Sequence, residues 1–402
     1  MPLRATPFGL LWVSQALSAL GTSISSLAYP LLVLDLIGSG VAAGAVAAVA
    51  AATGLVAKLP GGLAADRLRV RELMLAMDAV RAVVIGSLAA AVLAGVATLP
   101  LVLAAVAIEV ACGSLFGPAE FGLLRLLVPA EERALAVGRM QSRSAAAGLI
   151  GPVLGGALYG IAPALPFAAD AVSYLASLVC VLLLRGPGRS ARGTGAALRD
   201  ELSAGWRWLR SERFLFAAGI WTACLLAVFG GVGLALLILA RDRGAGPAEL
   251  GVMFAISAAG GLVGALLTPA VQRRWRPRTI LRVAAAVDTA VTLALLPIGD
   301  PYLIGVAGGV AFLLAPTVSA TLFGEVSRLA PDEVVGRAQS TLGLVLGLPA
   351  PFAPLLIGGI VDGVAPAGAV IGCAAAFAVL TVAALLLPPS GPGATARAAP
   401  LE

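Results

Sequence analysis

Histidine is absent from the 402 residues and lysine occurs once, as Lys58. Without an imidazole there can be no Ser-His-Asp or Cys-His arrangement and no H-E-x-x-H zinc site, so any proton chemistry falls to carboxylates and arginines. Charge is scarce as well, at 12% against roughly a quarter in an average soluble domain. With 60% of residues hydrophobic, a water-soluble surface cannot be built. The pI near 9.7 does not point to nucleic acid, because the basic residues sit between apolar stretches rather than on one exposed face. The four cysteines, Cys112, Cys180, Cys224 and Cys373, lie inside apolar runs without paired spacing. Neither a disulfide framework nor a metal site is expected from them, and no catalytic constellation or organic cofactor is indicated.

What the chain does have is long apolar runs. A bilayer core of about 30 Å takes roughly 20 apolar residues per spanning helix, and twelve stretches fit: 10–34, 41–61, 73–96, 101–121, 135–159, 165–184, 214–239, 248–271, 280–297, 302–323, 336–361 and 366–387. The stretch from Leu10 is longer than a leader core and eleven more follow, so it reads as a retained first helix. Nearly all of the 27 basic residues fall at the termini and in the connections that follow even-numbered spans. The opposite connections carry only Arg241 and Arg243. Arginine is retained on the cytoplasmic side of short loops, so the expectation is a multi-pass protein of the cell inner membrane with both termini cytoplasmic.

The halves resemble each other. Val137-Gly138-Arg139-Met140-Gln141-Ser142 opens the fifth span and Val335-Gly336-Arg337-Ala338-Gln339-Ser340 the eleventh, each after a similar Leu-x-Pro approach. The predicted organisation is an N-terminal six-helix bundle over 1–187, a linker over 188–213 and a C-terminal six-helix bundle over 214–402. Parallel repeats of this kind place a substrate site between two bundles. Within the linker, Leu198, Leu202, Trp206 and Leu209 recur at helical spacing beside Arg199, Arg207 and Arg210. This is an amphipathic helix, either resting on lipid headgroups or acting as a tether.

Two motifs carry a family resemblance. Gly62-Leu63-Ala64-Ala65-Asp66-Arg67-Leu68-Arg69-Val70-Arg71 is similar to the G-x-x-x-D-R-x-G-R-R/K loop of the major facilitator superfamily, with Arg69 where glycine is usual and Val70 where arginine is usual. Gly148-Leu149-Ile150-Gly151-Pro152-Val153-Leu154-Gly155-Gly156 resembles the G-P-x-x-G-G motif of its drug/proton antiporters, in the branch that holds macrolide and siderophore exporters. The resemblance implies an all-α membrane fold of two pseudo-symmetric six-helix bundles, a small-molecule substrate and proton coupling.

The residues also have readings of their own. Asp66 and its arginines either hold the cytoplasmic side closed or make a rigid positive-inside turn, and Asp78 with Arg81, three residues apart on one face, extends the same network. In the fifth span, Pro152 removes a backbone donor and Gly148, Gly151, Gly155 and Gly156 allow close packing. They serve as a gate, as packing devices, or as both. Charges inside a span are the sharper signal, since even lenient scales assign about 2.5 to 3.5 kcal/mol to Asp or Arg at a helix centre. Glu109 lies about 12 Å into the fourth span and Arg143 near mid-depth of the fifth. Burial and a nearby arginine act in opposite senses on a carboxylate's proton affinity, so this pair either exchanges a proton during transport or is a permanent ion pair. Asp288 in the ninth span is a further proton-coupling candidate, although it and Asp170 fit structural roles on peripheral helices, and Asp35 fits an interfacial cap. Thr22 stands uncharged where the exporters often carry an acid.

The expected function is proton-coupled export of an amphipathic small molecule, driven by the proton gradient in a monomer without nucleic-acid partners. An uptake symporter or uniporter, or a lipid flippase, is the alternative on the same fold. A fluorescent protein fused to either end is expected to be bright in cells, and alkaline phosphatase fused there inactive. Phosphatase activity at one end alone would place the termini on opposite faces.

Overall fold

The structure is a computed structural model and describes residues 7–67, 69–184 and 198–388. Among them every regular element is helical: α1 Pro7–Ile37, α2 Gly40–Arg67, α3 Val70–Leu93, α4 Leu99–Leu127, α5 Arg133–Ile161, α6 Leu165–Leu183, α7 Leu198–Ser211, α8 Arg213–Asp242, α9 Pro247–Arg274, α10 Pro277–Ala294, α11 Pro301–Phe312, α12 Ala315–Leu329, α13 Val335–Gly347, α14 Phe352–Gly363 and α15 Pro366–Leu385. The chain divides into two compact units, Met1–Thr194 with Ala240–Ile256, and Gly195–Leu239 with Ser257–Glu402. The tip of α8 and the first turns of α9 therefore pack with the first unit.

Among the described residues, eleven stretches are long and apolar enough to cross a membrane. The predicted ninth span, 280–297, corresponds to α10, which is only 18 residues long and carries Arg278, Arg282 and Asp288. Those charges keep it out of the eleven. The predicted spans 302–323 and 336–361 each appear as two helices. Pro316 opens α12, and Pro349 and Pro351 fall between α13 and α14, where missing N–H donors interrupt the ladder. By contrast α5 runs unbroken through Pro152.

In the first unit α1 packs on α5 and α6, α2 on α4, and α3 on both α4 and α6. In the second, α9 lies along α11 and α12 in parallel register: Ser257 donates to Gly305 O at 3.1 Å, Thr268 meets Thr317 at 2.9 Å, and Gln272 donates to Thr321 at 3.3 Å. Between these hydroxyl contacts the backbones nearly touch. A Cβ on Gly260 would lie 2.1 Å from Gly309 O, and one on Gly264 would lie 1.8 Å from Leu313 O. Lipid tails are as apolar as leucine, so helices in a membrane adhere through such close approach and through interhelical hydrogen bonds.

The repeat is visible in side-chain geometry. Arg71 on α3 donates from Nε to Val181 O at 3.2 Å and from Nη2 to Leu182 O at 2.8 Å, covering the orphan carbonyls at the end of α6. Arg282 on α10 does the same to Ala384 O and Leu385 O of α15, both at 3.1 Å. Two turns further on, Ser177 donates to Asp78 Oδ2 at 2.7 Å in the first unit, and Thr289 meets Thr381 at 3.2 Å in the second.

The linker helix α7 has a protein contact on one side. It packs on α13, with Leu209 fully buried, a Cβ on Gly205 reaching to 2.4 Å from Arg337 O, and Trp206 edge-on to Phe216. The side chains of Leu198, Arg199 and Leu202 lie outside the described residues. Of the stripe's described side chains, Leu209 is covered by protein and Trp206 remains exposed.

Gly264→Val is expected to lower stability in detergent by on the order of 1–3 kcal/mol, measured by thermal unfolding. Gly343→Val, where a Cβ would meet nothing within 4 Å, should change it by no more than about 0.5 kcal/mol.

Candidate functional site

Four helices of the first unit present polar side chains to one another. Thr22, Ser25 and Tyr29 lie along one face of α1, Asp78 and Arg81 on α3, Glu109 on α4, and Asp170, Tyr174 and Ser177 along one face of α6, at the three-to-four-residue spacing that stacks side chains. All but Thr22 are buried, and Asp78, Asp170, Tyr174, Ser25 and Ser177 have no exposure at all.

Glu109 is the centre of this arrangement. Tyr29 donates its hydroxyl to Oε2 at 2.5 Å and Tyr174 donates to Oε1 at 2.8 Å. Tyr174 in turn meets Thr22 Oγ1 at 2.7 Å, and Thr22 donates to Ser18 O at 3.0 Å. Nearby, Ser25 donates to Asp170 Oδ2 at 2.6 Å. A cavity of about 270 Å³ opens beside Glu109, lined by Thr22, Arg81, Val110, Gly113, Ser114 and Tyr174. Arg81 is held over the rings of Phe116 and Tyr174, 5.4 and 5.3 Å from their centroids, and its nearest carboxylate oxygen is Asp78 Oδ1 at 4.0 Å.

The expected partnership of Glu109 with Arg143 is not present. Arg143 pairs at 2.5 Å with Glu120, three turns along α4 and equally buried, while the guanidinium beside Glu109 is that of Arg81. Arg143 thus belongs to a separate α4–α5 ion pair. Arg81 likewise faces the cavity rather than extending a cytoplasmic network, and Asp78 is committed to Ser177. The side chains of Gly62, Asp66 and Arg67 lie outside the described residues, and Arg71 is occupied with α6. Asp288 sits in the other unit, 1% exposed, with no hydrogen bond to its Oδ1 among the described residues.

The helix-five glycines are contact points. A Cβ on Gly151 would lie 2.3 Å from Ser23 Cβ, on Gly155 2.4 Å from Ile24 O, and on Gly156 2.2 Å from Pro247 O, whereas Gly148 meets nothing within 4 Å. From the other side, a Cβ on Gly251 would reach to 2.3 Å from Pro152 O. The motif therefore lets α1 and the start of α9 approach α5. At the same end, Asp35 is not a simple cap: Arg241 bridges to its Oδ1, and Tyr159 donates to Oδ2 at 2.5 Å.

Sequence reasoning missed Tyr29, Tyr174 and Glu120. A signal existed for the tyrosines, because the chain has only four and three of them bond a carboxylate. Glu120 lies at the edge of the predicted fourth span, 101–121.

No curated protein matches this sequence. Solved structures do. The nucleoside transporter NupG superposes with a TM-score of 0.77 at 12% identity, covering 96% of this chain and 100% of that one. A bacterial homologue of the human lysosomal transporter Spinster, in an inward-facing and unoccupied conformation, gives 0.73 at 14% identity, with 96% of each chain covered. A D-xylose-proton symporter gives 0.70 at 14%, covering 95% of this chain and 98% of that one. These likenesses establish the shared fold, and the family model described as the Major Facilitator Superfamily matches residues 11–328. With helices of bilayer length, a polar cavity inside an apolar bundle and that match over most of its length, the chain belongs to the Major Facilitator Superfamily, a family of membrane transporters rather than enzymes.

Proposed function

We propose that this protein is a proton-coupled exporter of an amphipathic small molecule, in which Glu109 carries the transported proton and the site is exposed alternately to the two faces of the inner membrane. The observation that carries the reading is a proton inventory. Three oxygen contacts run in series, from Ser18 O to Thr22, from Thr22 to Tyr174 and from Tyr174 to Glu109 Oε1, yet the two hydroxyls between them supply only two protons. All three are hydrogen bonds when a protonated Glu109 donates to the Tyr174 hydroxyl, which then turns its own proton from Oε1 to Thr22. When Glu109 is ionised, one contact loses its proton, and Thr22 or Tyr174 must turn away. Protonation is thereby tied to the relative placement of α1, α4 and α6, and a transporter needs such a link between proton and conformation.

The helix-five glycine-proline motif supports export, and Val110 and the Tyr174 ring set an apolar wall beside Arg81 and Glu109, which suits an amphipathic solute. Arg143 and Glu120 act as a permanent ion pair, and Asp288 is not part of this proton path. A second reading, uptake by symport, is favoured by one observation: the hydroxyls of Thr22, Ser114 and Tyr174 would serve a hydroxylated solute equally well.

Everted vesicles separate the two. Export predicts uptake of an amphipathic dye into the lumen when the lumen is acidic, collapsed by a protonophore. Glu109→Gln, which keeps the shape and cannot ionise, should reduce this gradient-driven accumulation at least tenfold while leaving downhill exchange. Undiminished accumulation in the variant would remove Glu109 from the mechanism, and accumulation that requires an alkaline lumen would favour symport.

A further inference from the structure

We propose that the cavity beside Glu109 is an anion subsite, in which Arg81 receives the carboxylate of an amphipathic organic monoanion. The inference rests on the reading of this chain as a proton-coupled transporter, takes its symport branch, and specifies the substrate's head group.

A guanidinium carries five N–H donors and remains charged at every physiological pH. Arg71 and Arg282 spend donors on helix-end carbonyls, and Arg143 gives Nη2 to Glu120 while its Nε and Nη1 stay buried without a partner; Arg81 differs in facing a cavity. Arg81 is only 6% exposed and makes no hydrogen bond to any described residue. Its Nε is buried without a partner, and Asp78 at 4.0 Å is beyond hydrogen-bond reach. Leaving such donors empty is costly, and a carboxylate fills them two at a time.

The guanidinium cannot easily fold away. The rings of Phe116 and Tyr174 hold its position through cation–π attraction, and Gly113 makes room for it, since a Cβ there would stand 2.5 Å from Arg81 Nη2. About 270 Å³ accommodates a head group with one or two rings rather than a whole drug-sized molecule. Ser114 and Thr22 offer hydroxyls, and Val110 an apolar wall.

The titratable groups around Arg81 are Asp78 on its own helix, Glu109 and the Cys112 thiol on α4, Asp170 and Tyr174 on α6, and Tyr29 on α1. Of these, Glu109 lines the cavity together with Arg81. In its neutral form it leaves the guanidinium to an incoming anion. Once ionised, it repels that anion and competes for the cation. Anion binding and retention of the Glu109 proton therefore reinforce each other, so anion and proton occupy the site together, which is the linkage of symport rather than of exchange.

The test uses the purified full-length protein and three probes of similar size: 1-naphthoate, its neutral amide 1-naphthamide, and the cation 1-naphthylmethylammonium, with equilibrium binding read by titration. Naphthoate is expected to bind at least tenfold more tightly than the amide at pH 6, and the cation more weakly than either. Its affinity should fall at least tenfold by pH 8.5 while the amide's stays level, and Glu109→Gln should abolish that fall. Arg81→Gln should erase the preference for carboxylate over amide. Because this change could disturb folding, Gly113→Ala, which displaces the guanidinium without removing it, should reduce the preference at least fivefold. Equal affinity for carboxylate and amide in the unaltered protein, a carboxylate preference that survives both variants, or a naphthoate affinity indifferent to pH would overturn the subsite. Unimpaired dye export by Glu109→Gln would instead overturn the transport reading while leaving naphthoate binding to Arg81 intact.

Discussion

A carboxylate buried among apolar helices must be met by donors or carry a proton, because no water is there to solvate it. Much of the first unit follows from that demand at Glu109. Tyrosine is well suited to meet it, with an apolar ring that packs between helices and a hydroxyl at its tip. Tyr29 and Tyr174 bring α1 and α6 onto the two oxygens of one side chain. Once that register is set, Ser25 falls opposite Asp170 and Ser177 opposite Asp78. One acid on α4 is thereby surrounded by a polar seam linking α1, α3, α4 and α6.

The second unit keeps the architecture of the repeat with different chemistry. Arg282 clamps the end of α15 as Arg71 clamps α6, but a threonine pair, Thr289 and Thr381, occupies the place of Asp78 and Ser177. Hydroxyls exchange hydrogen bonds without changing charge near neutral pH. Although Asp288 lies buried beside Thr289 on α10, the cross-helix contact at this level is thus titratable in one copy and neutral in the other. There, adhesion comes from glycines at van der Waals range, at Gly260 and Gly264 against Gly309 and Leu313.

Much of this was legible in advance. Apolar runs of bilayer length, the arginine asymmetry and the Val137 and Val335 copies follow from local composition, and the helices fall where those runs lie. Proline decided two details that run length alone could not, splitting the predicted tenth and eleventh spans. Glu109 was recognisable because any acid inside an apolar run is conspicuous. Its partners were not. Arg143 and Arg81 are both arginines on neighbouring helices, and the choice between them depends on helix rotation, which varies by 100° per residue. Glu120 lies at the edge of a predicted span, and only the fold places Arg143 against it.

The sequence by itself determined that the chain lives in a bilayer, how its helices are strung, that it is duplicated, and that a few intramembrane charges matter. Each of these is a property of consecutive residues and their transfer energies. Only the tertiary structure decided which charges meet: tyrosines rather than arginine on Glu109, Glu120 on Arg143, and a guanidinium at Arg81 left facing a cavity. Such pairings depend on the rotation and spacing of helices far apart in the chain, and those are set by the whole packed bundle at once.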